Sequence, residues 1–343
     1  MQSRQVGRKP PTGGGANLWE TLKSKYAIFL VLGVLFVICS LLNRNFLTWG
    51  NLTNISRQIS VTTILAFGET ILIISGLLDL SSGAVMAFSG TLSVMCYKAL
   101  GNTAVSMIVA ILVAIAIAVF CNALNALMVT TFRAPAFIVT LAMQAMARGA
   151  ALFLTAGQNV YQIGGYTVLG QGSLWVVPIP ILFMIFFFLV TRYLLNDTRL
   201  GRSLYAIGGN EAAANASGIA VNKVKTMAFL VNGVMVGMAA VLFMSRVNAG
   251  LPNGAIGYET EALTTAIIGG TSFTGGIGTA GGTIVGAFIV GFLNNIMNLT
   301  SVNSYIQQII KGAIIALAVI YDIYAKSQRT RKKMGNIEDK TKK

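Results

Sequence analysis

The residues able to do chemistry in this chain are few, and apolar neighbours surround them. Glu69, Asp79, Asn122, Asn125, Gln144, Arg148, Asn232, Asn294, Asn295, Asn298 and Lys311 all interrupt long hydrophobic runs. A charge at the centre of a membrane-spanning helix costs roughly 2.5 to 3.5 kcal/mol, so such residues face a cavity or a partner. Glu69 reads either as a hydrogen-bonded interior acid or as a group facing a conduit. Asp79 reads first as a cap for a helix starting near Ser82, ahead of a pathway role. Asn125, Asn294 and Asn295 suit interhelical hydrogen bonds and ligand hydroxyls equally. Arg148 suits a carboxylate or open carbonyls, and Lys311 suits an ion pair or a snorkelling position. Glu259 and Glu261 open a short apolar segment, where helix-dipole and capping roles apply. Phe67, Phe88, Phe137 and Tyr305 read as packing before stacking.

Most catalytic chemistry is excluded. Histidine is absent, which removes the commonest general base and metal ligand. Cys39, Cys96 and Cys121 fall in or beside apolar runs with no metal-ligand spacing, and read as small buried hydrophobes. No GxxxxGK[ST], GxSxG or HExxH occurs. The chain therefore reads as non-catalytic, with no metal and no cofactor of its own.

The elements that must position these residues are membrane helices. Hydrophobic residues make up 55% of the 343 and charged ones 10%, where a soluble domain would carry about a quarter charged. The expected fold is all-α and polytopic, with about ten spans and some broken or re-entrant segments. Each span needs roughly 17 to 25 apolar residues. They are placed near Tyr26 to Leu42, Ile59 to Leu77, Gly83 to Leu100, Ala104 to Thr130, Ala136 to Thr155, Trp175 to Leu195, Val224 to Val247, Ala262 to Phe273, Thr283 to Met297 and Tyr305 to Tyr324.

Lys and Arg collect on cytoplasmic flanks. Arg4, Arg8, Lys9, Lys23 and Lys25 precede the first span, and Lys326, Arg329, Arg331, Lys332 and Lys333 follow the last. Both termini are expected inside, which divides the chain into a basic tail over 1–25, a membrane domain over 26–325 and a second basic tail over 326–343. The uncleaved first span follows from the polar stretch ahead of it. Eight of the 25 basic residues lie after Ala325, so the net charge of +15 reads as topology beside anionic lipid, with no nucleic acid implied.

Two glycine-rich breaks interrupt the apolar pattern. One is Ser75-Gly76-Leu77-Leu78-Asp79-Leu80-Ser81-Ser82-Gly83, and the other runs from Gly269 to Gly282. Open backbone at membrane depth is tolerated where protein buries it or where it lines a wet cavity. The strings TILIISG (Thr70 to Gly76) and TTAIIGG (Thr264 to Gly270) are weakly alike, which leaves an internal repeat and a chance likeness both open.

One long polar interval, about 196–223, also stands out. Leu200-Gly201-Arg202-Ser203-Leu204-Tyr205-Ala206-Ile207-Gly208-Gly209-Asn210-Glu211-Ala212-Ala213, continuing to Ser217-Gly218-Ile219, suits a short helix between turns outside the bilayer. Orientation places it on the cytoplasmic side, between the sixth and seventh spans.

These segments, with Leu78-Asp79-Leu80-Ser81, Phe137-Ile138, Arg148-Gly149, Gly257-Tyr258-Glu259, Gly269-Gly270-Thr271-Ser272 and Phe292-Leu293-Asn294-Asn295, resemble the permease subunits of bacterial ABC importers for monosaccharides. That group takes up ribose, galactose, xylose and autoinducer-2, and the likeness runs from about Phe46 to Asp322. The resemblance implies an inner-membrane protein that pairs with a second permease, a copy of itself or a similar chain, around a translocation path. It implies a cytoplasmic ATPase, the user of ATP and Mg, docked at Gly201, Arg202, Gly208, Gly209, Asn210, Glu211, Ala212, Ala213 and Gly218. A periplasmic or lipid-anchored binding protein delivers the sugar. Glu69, Asp79, Asn125, Phe137, Asn294 and Asn295 are the expected path residues. Glu69 replaces an expected Met-like residue, Ala126 an expected Gly and Glu261 an expected Asp, departures that bear on substrate identity. An ion-coupled secondary carrier is the alternative, with Glu69 or Asp79 as coupling acid.

Overall fold

The computed structural model describes residues 14–341 and is almost wholly helical. Arg4, Arg8 and Lys9 of the expected N-terminal tail, and Lys342 and Lys343 of the C-terminal one, lie outside the described residues. In chain order the helices are α1 (Gly14–Leu42), α2 (Trp49–Ile74), α3 (Ser82–Ala99), α4 (Ala104–Thr130) and α5 (Ala136–Thr155). The short α6 (Val168–Gln171) and a two-residue hairpin, β1 (Ser173–Leu174) with β2 (Val177–Pro178), follow. Then come α7 (Ile179–Asp197), α8 (Arg199–Gly209), α9 (Glu211–Ala216), α10 (Val221–Val247), α11 (Tyr258–Ile268), α12 (Ala280–Leu299) and α13 (Ser304–Thr341). Among the described residues, α2, α4, α5, α7, α10, α12 and the Ser304–Tyr324 part of α13 are long and apolar enough to cross a membrane. The chain is a polytopic helical membrane protein.

Packing follows residue size. On α4, Ala110, Ala114 and Ala118 recur at every fourth position and are fully buried. Facing them on α10 are Gly233 and Gly237, where a Cβ would come 2.7 Å from Val119 Cα and 2.6 Å from Ile115 Cα. Small residues at this spacing let two membrane helices approach closely, where dispersion and not the hydrophobic effect holds them. α2 is buried without interruption from Ile59 to Ile74, so it forms the centre of the bundle beside α10. α13 lies at the other extreme, with none of the described side chains of its span buried.

The two breaks end their helices identically. After α2, Gly76 takes a φ of +79°, its N–H donates to the Ile73 carbonyl and the Leu77 N–H to the Leu72 carbonyl. After α11, Gly270 takes +87°, its N–H donates to Ile267 and the Thr271 N–H to Ala266. Both are Schellman closures, in which a left-handed glycine lets two N–H groups satisfy carbonyls of the last turn. The strings TILIISG and TTAIIGG are thus one structural device used twice.

Among the boundaries that differ from expectation, α2 begins at Trp49 and not near Ile59. α7 starts at Ile179 and not near Trp175, because Val177–Pro178 pairs with Ser173–Leu174. α11 runs for 11 residues from Tyr258 and stops at Ile268, short of the expected Phe273, since Gly269 and Gly270 close it. The polar interval forms two helices, because Asn210 is extended and caps α9 through its side-chain oxygen on the Ala213 N–H at 3.0 Å.

Candidate functional site

The first break returns the chain to the middle of the bundle and builds a buried polar cluster there. Ser82, the first residue of α3, donates its hydroxyl to Glu69 of α2 at 2.6 Å. Asp79 accepts from the Ser81 N–H at 2.8 Å, an Asx turn, and from the Ser81 hydroxyl. Its other oxygen accepts from Asn232 Nδ2 at 2.8 Å, and the same amide nitrogen donates to Asn122 Oδ1 at 3.0 Å. Asn125 donates to the Ser81 hydroxyl at 3.2 Å. Glu69, Asp79, Asn122, Asn125 and Asn232 are fully buried. Asp79 is therefore less a helix cap than a knot joining the break to α10 and α4.

α11 starts against the same place. A Cβ on Gly83 would overlap the Glu259 carboxylate, so the Glu259 side chain of α11 lies against bare backbone in the first turn of α3. Both present helix N-termini, whose free N–H groups favour nearby carboxylates. Glu259 accepts from the Gly257 N–H at 3.2 Å and from Gln144 at 3.5 Å. Arg148 holds the irregular chain ahead of α11 by donating to the Pro252 carbonyl at 2.8 Å and the Gly254 carbonyl at 2.7 Å. A guanidinium is suited to open carbonyls because it offers five donors in a fixed fork.

The cluster's spare capacity is all of one kind. Glu69 Oε2, Asn125 Oδ1, Asn232 Oδ1 and Glu259 Oε2 are buried and accept no hydrogen bond within the chain. Such oxygens accept from hydroxyl groups or water. Among the described residues, no group of three His, Cys, Asp or Glu side chains is arranged to hold a metal.

The other expected path residues stand apart. Asn295 exchanges two hydrogen bonds with Asn51, at 2.8 and 3.1 Å, which is the interhelical role. Asn294 is buried with Nδ2 unpartnered, and lines a small cavity with Glu261, Thr264 and Lys311. Lys311 pairs with Glu261 at 3.3 Å. Phe137 is 53% exposed on the first turn of α5.

α8 and α9 form the second candidate site. Gly201, Leu204 and Ile207 face inward on α8, and Ile207 packs with Ala214 of α9 and Val221 of α10. Gly201 fits because a Cβ there would overlap the Leu194 and Leu195 carbonyls. Arg202, Gly209, Asn210, Glu211, Ala212, Ala213 and Gly218 are all exposed. Glu211 accepts from Lys225 at 2.8 Å on both oxygens, beside an open cleft of about 970 Å³ that also touches Gly76, Arg133 and Pro135. Gly208 faces inward, where a Cβ would overlap the Ile74 carbonyl oxygen. Tyr205 donates to the Gly278 carbonyl at 2.7 Å, and burial pushes its ionisation above the usual phenol range. Tyr205 was not legible as a site residue in the sequence, where it is one more aromatic on an amphipathic helix.

Residues 51–319 match the family described as branched-chain amino acid transport system / permease component. The chain belongs to this permease family. Among curated proteins, the ribose import permease protein RbsC of Escherichia coli strain K12 is 39% identical over 85% of this permease and 92% of its own length. The D-allose transport system permease protein AlsC of the same strain is 35% identical over 87% and 91%. The L-arabinose ABC transporter permease protein AraH of Azospirillum brasilense is 30% identical over 97% and 99%. No solved structure matches this permease. The family match covers both breaks, the buried cluster and α8–α9.

Proposed function

We propose that the chain is the membrane-spanning subunit of an ATP-driven importer for a monosaccharide of the ribose, galactose or xylose kind, resident in the bacterial inner membrane. The likeness to ribose, allose and arabinose permeases over most of each chain carries this reading. Its ten spans, from α1, α2, α3, α4, α5, α7, α10, α11, α12 and α13, leave both basic tails in the cytoplasm, with the membrane domain over 26–325 between them. The exposed residues of α8 and α9, from Arg202 to Gly218, receive a separate ATPase that uses ATP and Mg. Gly201 and Gly208 serve that surface from beneath.

An extracytoplasmic binding protein delivers the sugar, and a second permease copy completes the path. Within this chain, Glu69, Asp79 and Asn125 belong to the polar cluster at the two helix starts, whose free acceptor oxygens suit sugar hydroxyls. Asn294 and its cavity, Asn295 and the exposed Phe137 are further path candidates. A permease must hold sugar weakly, since it has to release what the binding protein captures.

Co-purification tests the reading. The chain should retain an ATPase, and Glu211→Lys or Gly218→Lys should lose it. Retention of the ATPase and of ATP-driven uptake in both variants would refute the docking assignment. An ion-coupled carrier would instead show uptake that collapses with a protonophore while ATP is held constant.

A further inference from the structure

The contacts beneath α8 lead to both membrane breaks at once. At Gly208 the α8 backbone meets the Ile74 carbonyl, the last residue of α2, and a Cβ there would also come 2.5 Å from the Gly276 nitrogen. Gly276 itself donates to the Ile74 carbonyl at 2.9 Å. Gly275 and Gly276 take φ of +83° and +77°, and a Cβ on either would come 3.0 Å from the α8 backbone at Gly208 or Gly209. Three backbones therefore touch with no side chain between them.

The glycine-rich segment is closed on itself. The Ser272 N–H donates to the Ile277 carbonyl and the Gly275 N–H to the Ser272 carbonyl, both at 2.9 Å. α13 holds it from the other side, where Asp322 accepts from the Ser272 hydroxyl at 3.0 Å and the Phe273 N–H at 2.9 Å. Lys311, three helical turns earlier and so on the same face of α13, pairs with Glu261 at the start of α11. α13 is thereby fastened to both ends of the α11 unit, by a cation at one end and an anion at the other.

We propose that Gly269–Gly278 is a transmission joint that carries movement of α8 into α2, α11 and α13 together, with Gly208, Tyr205 and Asp322 as its positioning residues. The joint rests on the reading that α8–α9 receives an ATPase. Close-packed backbone deforms little, so displacement of α8 moves the ends of α2 and α11 as one body. Each of those helices leads back to the buried cluster, at Glu69 and Glu259.

The test uses the complete transporter in proteoliposomes, with its ATPase, its binding protein and radiolabelled ribose as probe, measuring ATP hydrolysed per ribose taken up. Asp322→Ala, which lies outside the docking surface, should keep the ATPase bound and its hydrolysis within about twofold, while ATP per ribose rises about tenfold. Asp322→Asn, which keeps an acceptor oxygen, should restore most of the ratio, and Gly208→Ala should raise it in the same direction. Tyr205→Phe, which removes one hydrogen bond and adds no bulk, should raise it a few-fold. Hydrolysis and uptake falling in parallel at a constant ratio would overturn the joint, as would a wild-type ratio in all of these variants. Loss of the ATPase from Gly208→Ala alone would also overturn it, by making the contact a docking contact. A wild-type chain that retains no ATPase would refute the docking reading and, with it, the joint.

Discussion

Ser82 donates its hydroxyl to Glu69 at 2.6 Å, so the first residue of α3 is tied to the last two turns of α2 across the break that separates them. The carboxylate needs a donor there because it is fully buried, and the break needs a fixed end because it has no regular structure of its own. Glu69→Gln keeps an acceptor oxygen at that point and should change stability by less than about 1 kcal/mol. Glu69→Ala removes the acceptor and opens a cavity, and should cost about 2 to 4 kcal/mol. Thermal unfolding of the purified protein in detergent measures both, and an Ala variant as stable as the Gln one would contradict the pairing.

Asn232 bridges Asp79 and Asn122 through one amide nitrogen, joining the break to α10 and α4. Asn232→Leu should cost about 1 to 3 kcal/mol, because it leaves two buried acceptors without their donor. Asp79→Leu in the same background should then add less than its single effect, since the two residues share the interaction. A double-mutant cycle on thermal unfolding checks this, and strict additivity would count against the bridge.

Gly281 and Gly282 are adjacent in α12 but face different surroundings. A Cβ on Gly281 would meet nothing within 4 Å, whereas one on Gly282 would overlap the Gly269 carbonyl oxygen at the end of α11. Gly281→Ala should be neutral or stabilise by up to about 1 kcal/mol, and Gly282→Ala should destabilise by more than about 1 kcal/mol. Melting temperatures of the two variants, compared side by side, give the answer.

These residues mark how far the sequence could be read. Seven of the expected spans, the helical class and the special character of 196–223 follow from hydropathy and glycine content, which are local properties. The likeness of TILIISG to TTAIIGG was visible but weak, because a Schellman closure constrains only a left-handed glycine and the backbone around it. Partners distant in sequence were not legible. Nothing near Asp79 announces Asn232, nothing near Arg148 announces the Pro252 and Gly254 carbonyls, and Asn295 meets Asn51 only through packing of α12 on the start of α2. Asp322 left one trace, a lone acid at the end of the last apolar run.

Glu211 is engaged in an ion pair with Lys225 yet remains 57% exposed, so it can serve this chain or a partner. Pairs of this kind contribute about 0 to 1 kcal/mol, so Glu211→Lys, which removes the pair and sets a second cation beside the 14% exposed Lys225, should cost no more than about 1 to 2 kcal/mol of stability. Exchanging the charges, Glu211→Lys with Lys225→Glu, restores the pair but not a partner's contact. Retention of the ATPase should therefore stay lost in the exchanged variant, and its recovery would make Glu211 an internal structural residue.

The most direct measurement is uptake of radiolabelled ribose into proteoliposomes holding this permease with its ATPase, with the binding protein outside and ATP inside. Uptake should require both ATP and the binding protein, and should persist when a protonophore abolishes the proton gradient. Uptake without ATP that follows an imposed proton or sodium gradient would contradict the account.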